Sequence, residues 1–523
     1  MRPMSKSGLQ RADSPFIDER LTVTSGAGTD PVSTERPMST RQLFFTVFPS
    51  IMLPMFMSMS DQTIVASALP SIAAALGDVE RISWVVISYL IAVTIAAPVY
   101  GYLGDMYGRR RFMFIALALY LGAAVASAFA PSITILACTR FLQGLGGGGL
   151  MSLSQALIGE AVPPRQRGQF QGYLAGIAVT ASSFGPVAGA FVTDLFGWRA
   201  VFLMHVPTGI IAVLLTMRLT ARPGNGQGGF RFDFPGLIYF VGFIVPLLLA
   251  LDQVRSLSAE KQSLALGLLG LAVVSFVFLV RREFSIDSPL LPVRLLRQAA
   301  IWRADLMAAC HGATLVSLVS FMPIYLRAVH QASAGDISTV LLSITAGVGS
   351  GSIITGRIVS RTGRTMILPS LTLMVATMTL IIFGFYGSSL TTVQLSALLF
   401  FNCITMGSVM GVAQVTVQTA AGPRQLGQAA SSVQLSRSVG ASLGTAAIST
   451  ILFTTLAARD PEAAKLFGAI LQDPQAALAG LSSARRLAVT EEVTAAFRVA
   501  FLTLAGFTTL GSILAWTNPM RRV

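Results

Sequence analysis

The sequence predicts an all-α integral membrane protein with fourteen transmembrane helices, arranged as two bundles of six with an extra pair between them. The 523-residue chain is 53% hydrophobic and only 11% charged, whereas a soluble protein carries about 25% charged residues. Its apolar runs have the length of roughly 20 residues that a helix needs to cross a bilayer. In addition, two polar motifs of the first half recur in the second half.

The apolar runs divide the chain into four regions. Residues 1–42 are rich in Ser, Thr, Pro and mixed charges, which predicts a disordered cytoplasmic tail and not a signal peptide. Residues 43–219 and 299–523 each hold six predicted spans, and the linker region 220–298 holds two more. Residues 457–498 form a long outer loop, for which we expect surface helices. The predicted spans are 43–69, 83–103, 112–130, 133–158, 170–195, 201–217, 237–251, 264–280, 306–326, 337–359, 366–386, 393–420, 429–456 and 499–516.

The basic residues alternate along the chain as an even number of spans requires. With both termini in the cytoplasm, roughly 25 Lys and Arg fall on inner segments and roughly 10 on outer loops. The net charge of +14 is thus spread in small groups, which argues against nucleic-acid binding. Arginine far exceeds lysine, and Ala and Gly are abundant. This bias is typical of a GC-rich genome, so we expect a multi-pass protein of a bacterial cell (inner) membrane.

Two polar segments of the first half recur in the second half at a nearly constant offset, which indicates that the six-helix halves are duplicated. In one of them, Ser360 stands where the first copy has Asp105. Transporters often build a central pathway between two such repeats. The paired segments are 101–109 with 356–364, and 164–169 with 423–428.

Two charged residues lie inside predicted spans, Asp61 in the first and Arg140 in the fourth. A charge inside a membrane costs about 2.5–3.5 kcal/mol on insertion scales and usually marks a pathway. At about 1.5 Å per residue from the outer helix ends, both lie at a similar depth in the outer half. We therefore expect them to pair, and to exchange a proton when their surroundings change. A static structural ion pair is the alternative.

Arg437 lies about 12 Å or more into the thirteenth predicted span from the inner end, and no acid matches its depth in the sequence. It could contact an anionic substrate group, carbonyl groups of the other half, or water in the cavity. We take Gln143 and Arg437 as candidates for a substrate cavity.

Neither metal binding nor enzymatic catalysis is indicated. The three cysteines, Cys138, Cys310 and Cys403, lie in apolar runs without a CxxC pattern or a nearby His, so we expect no metal site and no disulfide. The glycine run 144–149 lacks the Lys-Ser/Thr that follows a phosphate-binding loop. It is typical of close helix packing instead. No Ser/His/Asp constellation or cofactor motif accompanies these residues, so the chain is not predicted to be an enzyme.

The fifth span contains Gly185-Pro186. Proline removes one helical hydrogen bond and glycine permits close contact, so this pair predicts a bend or hinge. An ordinary proline kink is the alternative.

Together these residues resemble the major facilitator superfamily, and within it the 14-helix drug/proton antiporter family of multidrug exporters. The resemblance covers about residues 43–516. Ala181 and Ala190 replace two glycines of the family's helix-five motif, and His205 stands where asparagine is usual. His205 could tune the response to pH from near the outer side, but we expect a packing role. The matching residues are the loop 101–111, Asp61 with Ala68-Leu69-Pro70, Arg140 with Gly144, and Gly172, Gly185, Pro186 and Gly189.

The resemblance implies the major facilitator fold and proton-coupled export by alternating access. The two halves would rock about a central cavity, and proton entry through Asp61 and Arg140 would be exchanged for outward movement of an amphipathic drug or toxic small molecule. The four matching residues of helix five would form the antiporter hinge. We expect a cavity lined mainly by aliphatic, Met and Phe side chains, which suit promiscuous binding.

The resemblance also implies a role for the loop 101–111. The loop would be a conformational latch formed by Gly101, Asp105, Gly108 and Arg109. Its aspartate would face the N-terminus of the thirteenth helix near residues 427–430 and hold the outward-open state. A carboxylate at a helix N-terminus contributes about 0.3–1 kcal/mol, and more when partly buried.

The expected partners are an amphipathic small molecule, protons and the lipid bilayer. No cofactor is expected, because the proton gradient drives transport. Related 14-helix exporters of bacteria with an outer membrane work with a periplasmic adaptor and an outer-membrane channel, and the sequence leaves that partnership open.

Two other functions stay open. One is export of a single metabolite such as a siderophore, an amino acid or an antibiotic, which only a substrate profile separates from multidrug export. The other is a membrane receptor or scaffold that no longer transports. The intramembrane charges weigh against it, because a protein that does not transport has no need to keep them.

Overall fold

The structure of the protein, a computed structural model, describes residues 48–77, 81–220, 224, 232–253, 259–286, 290–291, 294–472 and 482–522. The predicted tail 1–42 and most of the polar segments of the predicted linker lie outside these residues. The described residues are almost entirely helical, as expected for a chain in lipid, where each backbone group must be bonded within its own helix.

We number the long helices in chain order. In the N-terminal bundle they are α1 Phe48–Leu76, α2 Trp84–Tyr107, α3 Arg109–Ala128, α4 Ile133–Ala161, α5 Pro164–Phe196 and α6 Trp198–Met217. The central pair is α7 Phe234–Gln253 and α8 Ala259–Ser285. The C-terminal bundle has α9 Ala299–His330, α10 Ala334–Thr362, α11 Ile367–Tyr386, α12 Thr392–Ala421, α13 Leu426–Arg459, α14 Pro461–Gln472 and α15 Ser483–Thr517.

Twelve of the described helices are long and apolar enough to cross a membrane. They coincide with twelve of the fourteen predicted spans. The other two predictions correspond to α1 and α4, each 29 residues long, whose middles carry charged, hydroxyl and glycine residues that lower their hydropathy. Fourteen spans therefore stay a prediction.

Two helix ends differ from the sequence prediction. The first span is predicted to end at residue 69, but the helix α1 continues through Pro70 to Leu76. The predicted outer loop 457–498 contains α14, and α15 begins at Ser483 instead of near residue 499. Both extensions add helical turns beyond the apolar run, where hydropathy carries no signal.

Side-chain caps define several helix starts. Ser132 accepts a hydrogen bond from the Ile135 amide at 3.3 Å at the start of α4. Ser333 and Asp336 form a reciprocal capping box at the start of α10. These caps satisfy amide groups that the helix leaves without a partner.

The glycine run of α4 serves helix packing, as the sequence predicts. A Cβ at Gly144 would lie 2.5 Å from the carbonyl oxygen of Tyr89 on α2, and a Cβ at Gly146 would lie 2.7 Å from the backbone of Tyr120 on α3. Because these glycines leave no room for a side chain, α4 lies close against both neighbours. This contact positions Arg140, one turn earlier on α4.

The two bundles cross each other at two places where glycines meet. A Cβ at Gly101 of α2 would lie 2.6 Å from the carbonyl oxygen of Gly427 on α13. A Cβ at Gly356 of α10 would collide with the carbonyl oxygen of Gly168 on α5. We call the end of the molecule that holds these four glycines the latch side. The central pair α7 and α8 packs against α2, and Leu435 of α13 joins the same apolar cluster.

Candidate functional site

Asp61 and Arg140 meet inside the N-terminal bundle. The Nη1 atom of Arg140 donates a hydrogen bond to Oδ2 of Asp61 at 2.6 Å. The Asp61 side chain is 0% exposed and the Arg140 side chain is 1% exposed. A buried ion pair of this kind is not explained by stability alone, since desolvation offsets most of the attraction.

Gln143 forms hydrogen bonds with both members of this pair. Its amide donates to Oδ1 of Asp61 at 3.0 Å and its carbonyl accepts from Arg140 at 2.9 Å. The side chain is fully buried. Gln143 lies one turn after Arg140 on the same face of α4 and turns inward with it. Its role in a substrate cavity stays a prediction.

Arg140 has two further contacts that fix its orientation. Its Nε donates to the carbonyl oxygen of Val85 at 3.2 Å, and its guanidinium lies 4.2 Å from the ring centroid of Tyr89. A planar guanidinium suits this combination of carboxylate, carbonyl and aromatic face, whereas a lysine ammonium does not.

His205 of α6 approaches the same carboxylate. Its Nε2 lies 3.6 Å from Oδ1 of Asp61, and its ring packs edge-on against Tyr120 at a centroid distance of 5.6 Å. The sequence predicts a packing role, and the ring contact agrees with that. The proximity to Asp61 adds a titratable neighbour that the sequence does not predict, because α6 is far from α1 along the chain.

Asp105 occupies the latch side and binds the start of α13. Its carboxylate accepts hydrogen bonds from the backbone amides of Gly427 at 2.8 Å and Gln428 at 3.0 Å. These amides belong to the first turn of α13, where a helix leaves its N–H groups unpaired and carries a partial positive charge. The structure thus places Asp105 where the resemblance implies, and its role as a latch stays a prediction.

Arg109 ties this carboxylate to a second acid. It forms ion pairs with Asp105 and with Glu160 at the end of α4. The sequence prediction includes Arg109 but omits Glu160. The sequence signal for Glu160 is its position at the end of a span, on the same side of the membrane as the three arginines of the loop 101–111.

The two glycines of the predicted latch have distinct roles. Gly108 separates α2 from α3 with a φ angle of 98°, a conformation that residues with a side chain rarely adopt. Gly101 has helical geometry but lies against Gly427 and Ser431 of α13 without space for a side chain. One permits the turn, and the other permits the contact between the bundles.

The predicted hinge residues of α5 contact both bundles. Cβ atoms at Gly185 and Gly189 would collide with Thr63 and Ser67 of α1, just after Asp61. A Cβ at Gly172 would lie 3.0 Å from backbone atoms of Ile353 on α10, in the other bundle.

Pro186 is exposed and α5 is continuous through it. The predicted hinge is therefore not seen as a break in the helix in this conformation, and its role stays a prediction. Because α5 contacts the helix of Asp61 at one end and the C-terminal bundle at the other, it links the two.

A cavity of about 40 Å³ lies between the two bundles. Four of its lining residues are glutamines and two are methionines, so the lining is more polar than the aliphatic, Met and Phe lining expected for the substrate cavity. The role of this cavity in substrate binding stays a prediction. The lining residues are Met151, Ser152, Gln155 and Gln171 from the N-terminal bundle, and Met410, Gln414, Ala430 and Gln434 from the C-terminal bundle.

Hydrogen bonds between glutamines connect the walls of this cavity. The Gln171 amide donates to Oε1 of Gln155 at 2.7 Å. Gln418 of α12 donates to the backbone carbonyl of Gln155 at 2.9 Å, which joins the two bundles. Sequence reasoning missed these glutamines, because an uncharged polar residue in a span gives a weak signal.

Arg437 lies on α13 one turn after Gln434. Its Nε contacts Oε1 of Gln434 at 3.4 Å, and its backbone lies against Gly312 of α9. Asp305 of α9, the nearest acid of this region along the chain, contacts Ser432 at 3.4 Å instead. Among the described residues, no carboxylate forms an ion pair with Arg437.

Two helical bundles that enclose a central cavity, with a buried ion pair inside one of them and helices suited to a membrane, are typical of a membrane transporter. A sequence model of the Major Facilitator Superfamily matches residues 51–445, and the chain belongs to this superfamily of transporters, which are not enzymes. The predicted resemblance at that level is confirmed.

Individual relatives agree with this assignment. The chain is 29% identical to the multidrug transporter protein MdtP of Bacillus subtilis over 425 residues, 80% of this chain and 77% of that protein. It is 31% identical to multidrug resistance protein 3 of Bacillus subtilis over 306 residues, 58% of this chain and 60% of that one. The solved structure of the fucose:proton symporter FucP of E. coli matches 91% of this chain and 99% of its own with a TM-score of 0.58 and 13% identity, which shows a shared fold.

Proposed function

We propose that this transporter is a proton-coupled antiporter that exports amphipathic small molecules from the cytoplasm by alternating access. The observation that carries the proposal is the fully buried network of Asp61, Arg140 and Gln143. An intramembrane carboxylate with a single cationic partner changes its interactions when it takes up a proton. Protonation would weaken the bond to Arg140 and free α1 to move.

Coupling to movement of the bundles is supported by α5. This helix contacts α1 just beyond Asp61 through Gly185 and Gly189, and it contacts α10 of the other bundle through Gly172. A change at Asp61 therefore has a short physical route to the interface between the bundles. A proton that enters down a potential of 100 mV supplies about 2.3 kcal/mol, enough to bias the two states substantially.

The described contacts between the bundles favour an outward-facing state. The glycine crossings, the bonds from Asp105 and the bond between Gln418 and Gln155 all lie toward the latch side. The positive-inside distribution of Lys and Arg supports a cytoplasmic location for this side. We propose that it closes while the opposite side is open, with Asp105 as the latch and both termini in the cytoplasm.

The proposed fold has fourteen spans, with α1 and α4 included. At about 1.5 Å per residue, each is roughly 43 Å long, more than the roughly 30 Å hydrocarbon core. Both pack among helices that are long and apolar enough to cross a membrane. The charged side chains of Asp61 and Arg140 face each other and not the lipid. The proposed location of the protein is a bacterial cell membrane.

The proposed substrates follow from the relatives, which are named multidrug transporters and efflux pumps. A second candidate function is export of one metabolite. The glutamine-lined cavity favours it, because fixed amide groups reward a defined pattern of hydrogen bonds. We propose no resident cofactor. The same vesicle assay, repeated with and without a periplasmic adaptor and an outer-membrane channel, would show whether such partners act with this protein.

The proposal is tested in everted vesicles from an efflux-deficient bacterial host that expresses the full chain. With an acidic lumen, amphipathic compounds from a panel should accumulate, and collapse of the pH gradient should stop accumulation. Asp61→Asn should insert normally and lose the gradient-driven component. Accumulation that is indifferent to the gradient would contradict proton coupling. Transport confined to one metabolite of the panel would favour the second candidate.

A further inference from the structure

Arg437 lies in the middle of the protein, and no carboxylate of the described residues forms an ion pair with it. It lies eleven residues after the start of α13 at Leu426, or about 16 Å along the helix. Among the described residues, the one hydrogen bond of its side chain is the long contact of 3.4 Å with Gln434. A guanidinium stays charged in proteins, and an unpaired charge at this depth is costly.

Polar side chains lie near Arg437, beside the central cavity. Gln434 lines the cavity and contacts Arg437. On the facing helix α9, Gly312 lies against the backbone of Arg437 and the base of its side chain, and His311 is the preceding residue. His311 is 3% exposed, and its Nδ1 has no hydrogen-bond partner among the residues that the structure describes.

The two other candidate partners from the sequence are less suitable. No backbone carbonyl of the described N-terminal bundle accepts a hydrogen bond from Arg437, so the other half does not satisfy its charge. Water can solvate the half-buried guanidinium but leaves it uncompensated. Asp61 is already paired with Arg140, and Asp105 with Arg109 and the start of α13. The missing charge is therefore one that a ligand can bring.

We infer that Arg437 forms a binding site for an anionic group, and that the compounds exported by this protein include amphipathic molecules that carry a carboxylate or a similar anion. This inference rests on the proposed export function. The guanidinium would bind the anion through paired N–H groups, the glutamine amides would bind neighbouring polar atoms, and the methionines of the cavity would contact the apolar part.

The inference is tested with three fluorescent probes that share one apolar group. Dansyl-glycine carries a carboxylate, dansyl-glycinamide is neutral, and N-dansyl-ethylenediamine is cationic. Binding to the purified full-length protein and movement into proteoliposomes under a pH gradient would both be measured. Wild type should bind dansyl-glycine about ten- to a hundred-fold more tightly than the amide, as expected for hydrogen bonds to a charged group.

The variants isolate the charge at one position. Arg437→Gln should reduce binding of dansyl-glycine to the level of the amide and leave the amide unchanged. Arg437→Lys should retain part of the preference, since charge remains but paired donation is lost. Arg361→Gln is the matched control, because it removes the same charge from an exposed residue of α10 and should change nothing. If Arg437→Gln fails to fold, the preference within wild type and Arg437→Lys still tests the inference.

The outcomes separate the anion site from export itself. Equal or tighter binding of the cationic probe by wild type, no binding of any probe, or an unchanged preference in folded Arg437→Gln would overturn the anion site. Selective binding of dansyl-glycine that depends on Arg437, without any movement under a pH gradient, would support the site and contradict proton-driven export. Gradient-driven movement of the neutral and the cationic probe in preference to dansyl-glycine would support proton-driven export and contradict the anion site.

Discussion

The two crossings between the bundles share their packing and differ in their electrostatics. Gly101 meets Gly427 where α2 crosses α13, and Gly356 meets Gly168 where α10 crosses α5. Both pairs occupy equivalent positions of the repeated segments. The duplicated halves have therefore kept the glycines that allow two helices to touch.

Only the first of these crossings has an acid. Asp105 accepts hydrogen bonds from two backbone amides of α13, whereas its counterpart Ser360 bonds to the carbonyl oxygen of Arg357 in its own helix. The helix starts explain the difference. α13 begins at Leu426, so Gly427 lies in its first turn, but α5 begins at Pro164, four residues before Gly168. The amide of Gly168 therefore lies beyond the unpaired first turn.

Close packing and charge therefore have separate roles on the latch side. Packing is required at both crossings for the bundles to meet. The ionic contribution is confined to the crossing where free amides exist, so one crossing can respond to charge while the other serves as a fixed contact.

The largest effect is expected from filling either crossing. Gly101→Val and Gly356→Val should each reduce transport about ten-fold or more, because overpacking a tight contact costs about 1–3 kcal/mol. Transport rates in proteoliposomes check this. Gly122→Val is the control, since a Cβ at Gly122 has nothing within 4 Å. If one crossing tolerated valine, the two would not be equivalent in packing.

A smaller effect is expected from the acid alone. Asp105→Asn should lower the ratio of outward-facing to inward-facing protein about five- to thirty-fold, because it loses charge-assisted bonds worth roughly 1–2 kcal/mol at a helix N-terminus. Ser360→Ala should leave the ratio unchanged. Accessibility of reporter cysteines, in a background without the native cysteines, measures it. Equal shifts in both variants would contradict a one-sided latch.

A still smaller effect is expected when an acid is added to the second crossing. Ser360→Asp should not stabilise the outward-facing state, and it should not rescue Asp105→Asn in the double variant, because no free amides face it at Gly168. The same accessibility assay applies. Rescue would show that the second crossing can act as a latch and that the helix start is not the deciding factor.

The smallest effect is expected at α14. Among the described helices, α14 is an addition to the C-terminal bundle that has no counterpart in the N-terminal bundle. Hydrogen bonds from Arg485 and from the amides of Ala463 and Glu462 lower the pKa of Asp460. A lowered pKa means that the contribution to stability is present at neutral pH and is lost as the pH falls below about 4.

Hydrogen-exchange protection of α14 measures this contribution. Protection should decrease at acid pH in the wild type. Asp460→Asn should show the lower protection already at neutral pH, with little effect on transport. The exposed neighbour Arg459→Gln is the control. Unchanged protection in Asp460→Asn would mean that this carboxylate does not hold the helix.

Much of this architecture could be predicted from the sequence. Apolar runs identify helices because lipid imposes one solution on the backbone, and charge alternation gives their direction. The pairing of Asp61 with Arg140 follows from matching depths along two helices. Gly101 and Asp105 follow from the repeat and the family resemblance, which also indicate a partner on α13.

Other parts could not be predicted, for physical reasons. A buried arginine lowers the hydropathy of α4, although its side chain does not face the lipid. Hydropathy alone therefore does not give the number of spans where charged functional residues lie inside a helix. The direction of an uncharged polar side chain depends on helix rotation, which a sequence leaves open. For that reason the sequence does not indicate that Gln143 bonds to Asp61 and Arg140, or that Gln155, Gln171 and Gln414 line the cavity.

We propose that proton movement and substrate movement are coupled through Asp61. The most direct measurement is counterflow of protons in proteoliposomes that trap a pH-sensitive dye, with no imposed pH gradient. A transported compound that does not titrate is added outside. The lumen should become alkaline in wild type as protons leave in exchange for the compound, and Asp61→Asn should show no pH change. Entry of the compound into wild-type liposomes without alkalinisation, or an undiminished signal in Asp61→Asn, would contradict the claim.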